Sequence, residues 1–360
     1  MAYTEGESRP CGNVYNQYIR KKWAALFLLV VVLFFMAVLS VSMGSSRIPL
    51  TETISALFGG GAASSRVIIW NVRMPRIAAG IAAGIALAMA GCVMQNVLRN
   101  PLAAPATLGV SQGASFGAAL AIVHFGAGIQ INAGTAAAIT ITNPYTVTIF
   151  AFLGGIATTA VILCLSRIAK VTPSVMILAG VALSSLFTGA VALIQYFADD
   201  VMIASIVFWT FGSLGRAGWN EIALIFCLGI AAFLFFFFNR WNYNAMESGV
   251  HTAKSLGINV DTLIFVSMTA AALIAAVSVA FVGIINFVGL IAPHMARKFV
   301  GNDHRFLIPC SALMGAALML AADLVSRMLL APAILPIGAL TSFLGAPLFL
   351  YMIVKKGNIK

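Results

Sequence analysis

Charge is what this chain has least of. Asp, Glu, Lys and Arg make up 9% of its 360 residues, and only 10 residues are acidic. A soluble domain carries about 25% charged residues, so this chain cannot cover a water-facing surface. With 61% hydrophobic residues and a mean hydropathy of +1.01, its solvent is a lipid bilayer. Cysteines are few and single, at positions 11, 92, 164, 227 and 310; their spacing offers no metal site, and no disulfide is inferred. His124, His251, His294 and His304 form no ligand cluster, so neither a metal nor a cofactor is expected. No GxxxxGK[ST] loop exists, so any ATP must be hydrolysed by another chain. The net charge of +11 is spread between apolar runs rather than along a stripe, which speaks against nucleic acid as a partner. No set of Asp, His or Ser converges inside an apolar run as an intramembrane enzyme would require. The adjacent acids Asp199 and Asp200 read as a solvated loop.

What the chain does have is long apolar runs. Residues 1–22 form a polar tail ending in Arg20-Lys21-Lys22, and the domain proper is 23–360. Its first apolar run, 23–43, exceeds the roughly 7–15 residues of a signal-peptide core and reads as an uncleaved helix. Nine further spans follow at 76–96, 107–126, 145–168, 174–197, 221–239, 262–282, 288–299, 304–329 and 337–354. The span 288–299 is too short to cross about 30 Å of hydrocarbon and must be buried against protein. Ile203–Leu214 reads as a short surface helix and Ala245–Leu256 as an amphipathic one. The predicted fold is therefore all-α, polytopic, with about ten membrane helices. With the N-terminus inside, 15 Lys and Arg fall on the inner side and 6 outside, which puts both termini in the cytoplasm.

Several residues stand out against this background. From Arg73 to Gly113 the chain places Arg73 and Arg76 at the mouth of one span, with Gly80, Gly84 and Gly91 along a thin packing face. It then breaks at Gln95-Asn96 and turns through Arg99-Asn100-Pro101-Leu102. Asp323 is the only acid well inside a span, and Arg327 lies one turn further on the same face, placed to neutralise it. If Asp323 holds Arg327, Arg73 and Arg76 remain free. Arginines at a span mouth either snorkel to head groups or meet a partner. Met176, Gly180, Ser184 and Thr188 share one helical face, which is either a packing seam or the wall of a conduit. His294 is either a packed residue or part of a gate.

The Arg73–Gly113 stretch, the string Asn286 to Arg297, Gly301-Asn302-Asp303-His304-Arg305, Ala322 to Arg327, Leu335 to Gly338 and Gly345-Ala346-Pro347 together closely resemble the FecCD (BtuC-like) family. These are permease subunits of ABC importers for iron-siderophore, haem and vitamin B12. The resemblance implies a homodimer in the cytoplasmic membrane of a prokaryote, with two ATP-binding-cassette subunits inside and a substrate-binding protein outside. It implies that Met176, Gly180, Ser184 and Thr188 line the pathway, and that Asn100, Leu102, Pro173 and Ser174 form its cytoplasmic gate. Arg73, Arg76 and Arg327 match positions that dock the binding protein. The segment Glu247–Asn259 resembles the ATPase-coupling loop: Glu247, Ala253, Leu256 and Gly257 match, whereas Ser248 and His251 depart from its usual residues. An iron chelate, most often a ferric siderophore, is the cargo implied, with haem, cobalamin and molybdate-type oxyanions as the alternatives. The rival class is a secondary transporter or channel, which would carry several buried titratable residues.

Overall fold

The computed structural model describes residues 11–44, 48–126, 128–133, 136–141, 143–169, 172–331 and 333–357. Residues 1–10 of the tail, with Arg9, and also Arg47, Lys170 and Lys360 of the charge count lie outside these. The expected spans are matched one for one: α1 Cys11–Ser42, α4 Met74–Val97, α5 Val110–His124, α6 Pro144–Ala169, α7 Pro173–Phe197, α9 Trp219–Phe238, α12 Val260–Val282, α13 Val288–Val300, α14 His304–Met328 and α15 Ile337–Gly357. Between them lie the short helices α2 Leu50–Leu57, α3 Ala63–Ile68, α8 Asp200–Thr210, α10 Arg240–Glu247 and α11 Val250–Ser255. Among the described residues, seven helices are long and apolar enough to cross a membrane by length and composition.

The helix α4 is the axis of the bundle. Of its spanning stretch 83% is buried, and its glycines explain how. A Cβ on Gly84 would sit 2.5 Å from the carbonyl of Gly315 on α14, and one on Gly91 only 1.7 Å from the carbonyl of Gly289 on α13. Backbones meet directly at both points, as small residues allow in lipid. Pro293 has no N–H to give the Gly289 carbonyl four residues earlier, so that oxygen is left to lie against Gly91. The same device joins α5 to α6 through Gly113, Gly117 and Gly154. At the opposite extreme, only 6% of the α7 stretch is buried.

Five details differ from the expected pattern. The first helix is already formed at Cys11, the first residue described, well before the apolar run, because residues 13–22 contain neither Gly nor Pro to stop it. The third span starts at Val110 rather than 107, because Gly109 takes φ +81° and closes a turn before the helix begins. The surface helix falls at Asp200–Thr210, stopped by Gly212 at φ +70° against Ile284. The amphipathic segment is broken in two by Gly249 at φ +123°. Finally, an antiparallel hairpin, β1 Gly128–Ala133 with β2 Ala136–Ile141, pairs Gly128 with Ile141 and Ala133 with Ala136. Its sequence, with Ile129, Ile131, Ile139 and Ile141 at alternate positions, carries the period of a strand.

Candidate functional site

Three regions hold the residues singled out by sequence. The first is the start of α4. A π-turn, Ile69–Arg73, joins α3 to α4 and sets Arg73 and Arg76 toward the ends of α1 and α14. All three arginines of the set are buried, with 4%, 8% and 6% exposure for Arg73, Arg76 and Arg327. Asp323, fully buried, lies between two of them: Arg76 Nε is 2.6 Å from one carboxylate oxygen and Arg327 Nε 2.9 Å from the other. Arg327 also donates to the Ser40 and Met43 carbonyls at 3.2 and 2.9 Å, and Arg73 donates to the Val41 and Ser42 carbonyls. The expectation that Asp323 would occupy Arg327 alone is therefore corrected. It occupies Arg76 as well, and Arg73 caps the last turn of α1, whose terminal carbonyls have no partner within the helix.

The second region is the pair of turns proposed as a gate. Asn100 is half-buried, and Leu102 lies exposed at the end of α4, where Asn100 Oδ1 accepts from the Leu102 amide at 2.8 Å. Pro173 is half-buried and Ser174 exposed, at the first turn of α7. Beyond the two turns their elements pack together: a Cβ on Gly180 would lie 2.8 Å from Leu108 Cα, so α7 rests directly on residues 107–109. The small face of α7 is thus used in two ways along its length. Gly180 is buried in that seam and Ser184 half-buried beside Gly109, Met176 is buried below it near Leu163 and Val260, and Thr188 is exposed. Thr188 lines a cavity of about 280 Å³ with Gln112, Ser115 and Gln195.

The third region is α10–α11. Its inward face is Tyr243, Asn244, Met246 and Ala253, with Glu247 at the exposed rim; its outward face is His251, Lys254 and Leu256, the last 66% exposed. Glu247 is turned toward the bundle: Asn96 donates to one carboxylate oxygen at 3.3 Å and Asn302 to the other at 2.7 Å. Asn244 donates to Asp303 at 3.0 Å and accepts from the His304 amide at 2.8 Å. Burial pushes the Tyr243 phenol above its usual range, partly offset by its bond to Ser267 at 2.9 Å. Gly257 takes φ +81° with open space around it and ends the segment. Of the four residues matched to a coupling loop, Leu256 alone offers a large exposed apolar side chain. Sequence reasoning missed Asn96, Asn302 and Arg297 as a polar cluster behind this segment. The break at Gln95-Asn96 was the available signal. Among the described residues, no group of three or more His, Cys, Asp or Glu is arranged to hold a metal.

Comparison with known proteins places this geometry. The model of the FecCD transport family matches residues 29–355. A Methanocaldococcus jannaschii protein, named as a candidate ABC transporter permease, is 50% identical over 95% of this chain and 97% of its own length. The iron(3+)-hydroxamate import permease FhuG of Bacillus subtilis is 34% identical over 92% of this chain and 96% of its own. Among solved structures, an inward-facing transporter described as a candidate metal-chelate type ABC transporter superposes with a TM-score of 0.77. It is 32% identical, and the match covers 93% of this chain and 99% of that one. The match is nearly full-length in sequence and in fold, and the chain belongs to the FecCD transport family: it is a multi-pass membrane permease of an ABC importer, and not an enzyme.

Proposed function

We propose that this permease carries an iron chelate, with a ferric siderophore as its cargo, through a pathway formed at the two-fold axis of a homodimer. The observation that carries the reading is α7, a span of 25 residues with 6% of its central stretch buried by its own chain. A helix so placed meets lipid or another subunit on most of its surface. Its Ser184 and Thr188 add a weakly polar, uncharged strip that suits a bulky solute. The iron-hydroxamate cargo of the B. subtilis relative, which matches along its whole length, supports a chelate over haem or cobalamin.

In this reading both termini lie in the cytoplasm, the α10–α11 face with Leu256 receives an ATPase subunit, and Asn100, Leu102, Pro173 and Ser174 close the inner end. The binding protein docks at the end carrying Arg73, Arg76 and Arg327. To touch a partner's acids directly, these arginines must leave Asp323 and the α1 carbonyls, so they also brace the surface from beneath. ATP binding moves the docking segments and exchanges the inner and outer openings.

The test is uptake into liposomes containing the permease, its ATPase and a loaded binding protein, with a ferric hydroxamate, haemin and cobalamin as probes. ATP-dependent uptake of the ferric hydroxamate is expected. Uptake driven by an ion gradient without the ATPase would establish a secondary transporter instead. Cysteines at Leu102 and Ser174 are expected to cross-link between protomers in one nucleotide state and not in another.

A further inference from the structure

The amides of Gln95 and Asn96 close the inner end of α4, and each residue is used twice. Both are almost fully buried, at 3% and 2% exposure. Their backbone carbonyls build the turn that follows: the Asn100 amide donates to Gln95 O at 3.0 Å and the Arg99 amide to Asn96 O at 2.9 Å. That turn holds Arg99 at φ +48°, a conformation few non-glycine residues adopt. Asn100 and Leu102 stand directly on it.

Their side chains point the other way, to different elements. Gln95 accepts from Arg297 and donates to the Leu290 carbonyl at 3.3 Å, both on α13. Asn96 donates to the Tyr243 carbonyl at 3.0 Å and to Glu247 at 3.3 Å, both on α10. Glu247 reaches on to Asn302 at the α13–α14 turn. A helix end needs only that its last carbonyls be satisfied, and water does this at a surface. Two buried amides tied to two other helices exceed that need. Asn96 Oδ1 is also buried and accepts no hydrogen bond among the described residues. The amide therefore has an acceptor in hand for a second arrangement. Beside it lies a cavity of about 270 Å³ lined by Gln95, Arg99, Asn100, Glu247, His294 and Arg297, which gives these side chains room to move.

We propose that Gln95 and Asn96 are positioning residues that convert displacement of the α10–α11 segment into movement of the 98–109 turn, with Glu247 as the input. The proposal rests on the reading of that segment as the ATPase contact and of that turn as a gate, and supplies the part that joins them. Two discrete hydrogen-bond arrangements of one amide are the kind of two-state element that coupling requires.

The experiment uses the assembled permease–ATPase complex in lipid nanodiscs, in a cysteine-free background carrying Leu102→Cys. The readout is the change in maleimide labelling rate at that cysteine on adding ATP. Asn96→Asp sets a carboxylate against Glu247; Asn96→Asp with Glu247→Gln restores a donor–acceptor pair with the roles exchanged. The single variant is expected to keep its ATPase, to melt lower because the buried carboxylate faces Glu247 and the Tyr243 carbonyl without a donor, and to lose the labelling response about tenfold in the molecules that remain folded. The double variant is expected to recover most of it. A wild-type response in Asn96→Asp overturns the proposal. So does a loss that the double variant fails to restore, which would mark a purely structural role. If Asn96→Asp does not fold, Glu247→Ala at the exposed rim takes its place, read per bound ATPase; a retained response there also overturns the link. If the unsubstituted complex shows no ATP-dependent labelling, the docking-and-gate reading itself fails and the link falls with it.

Discussion

The two ends of α4 are built from different chemistry. At one end, full charges meet in the dry interior: Arg76 and Arg327 share Asp323 at 2.6 and 2.9 Å. At the other, the amides of Gln95 and Asn96 connect the helix to its neighbours one bond at a time, to two carbonyls, to Arg297 and to Glu247, which sits at an exposed rim. The difference decides which end can move. Removing one member of a buried ion network leaves an uncompensated charge and costs about 3–5 kcal/mol. An amide that trades one partner for another risks about 0.5–1.5 kcal/mol for a bond to a carbonyl and about 1.5–3 kcal/mol for one to a charged group such as Arg297 or Glu247. The arginine end is therefore a fixed point, and the amide end is where a small input can produce displacement.

Four variants, one of them with a matched control, sharpen or break this contrast. The largest effect is expected from Arg73→Glu with Arg76→Glu. It buries new acids beside Asp323 and the α1 carbonyls, so folded yield is expected to collapse, by more than about 5 kcal/mol. Size-exclusion profiles of the extracted protein would show it. If the variant instead melts like the parent and only binds its partner more slowly at low salt, the arginines serve docking alone and this end is not a fixed point. Next comes Asp323→Ala, expected to destabilise by about 3–5 kcal/mol and to lower the melting temperature far more than Asn96→Ala does. Equal shifts in the two would erase the distinction between the ends.

Gly91→Ala comes third. Its Cβ would lie 1.7 Å from the Gly289 carbonyl, so α13 must move away, at about 1–3 kcal/mol. Gly229→Ala, with nothing within 4 Å of its Cβ, is the matched control and should leave melting unchanged. The smallest effect on stability belongs to Leu256→Glu, which is expected within about 0.5 kcal/mol because that side chain is exposed. Its ATPase should nevertheless co-purify poorly. Unchanged co-purification would move the contact away from α11.

Much of this was legible in the sequence, for identifiable reasons. Hydropathy over about 20 residues marks a span regardless of its neighbours, and the stripe of Gly80, Gly84 and Gly91 marked α4 as a close-packing helix. The Asp323–Arg327 pair was readable because it lies one turn apart. Arg76 on the same carboxylate was not, because no local pattern links positions on helices that meet only in the fold. The break at Gln95-Asn96 was visible, but a polar residue at a helix end does not declare where its side chain points. The small residues of α7 were legible as one face by their spacing, and the burial of Gly180 against an exposed Thr188 follows from where the 107–109 turn lands. The hairpin carried a period-two signal that a reading tuned to long apolar runs passes over.

The shared carboxylate also has a consequence for biosynthesis. Arg76 and Asp323 are 247 residues apart, and at a synthesis rate of about 5–20 residues per second the first waits about 12–50 s for the second to leave the ribosome. During that interval Arg76 already belongs to an inserted helix and can keep its charge solvated only by stretching toward the head groups. The N-terminal half of the protein therefore enters the bilayer in a provisional arrangement, and closure of the α4 mouth marks the moment at which α14 has arrived.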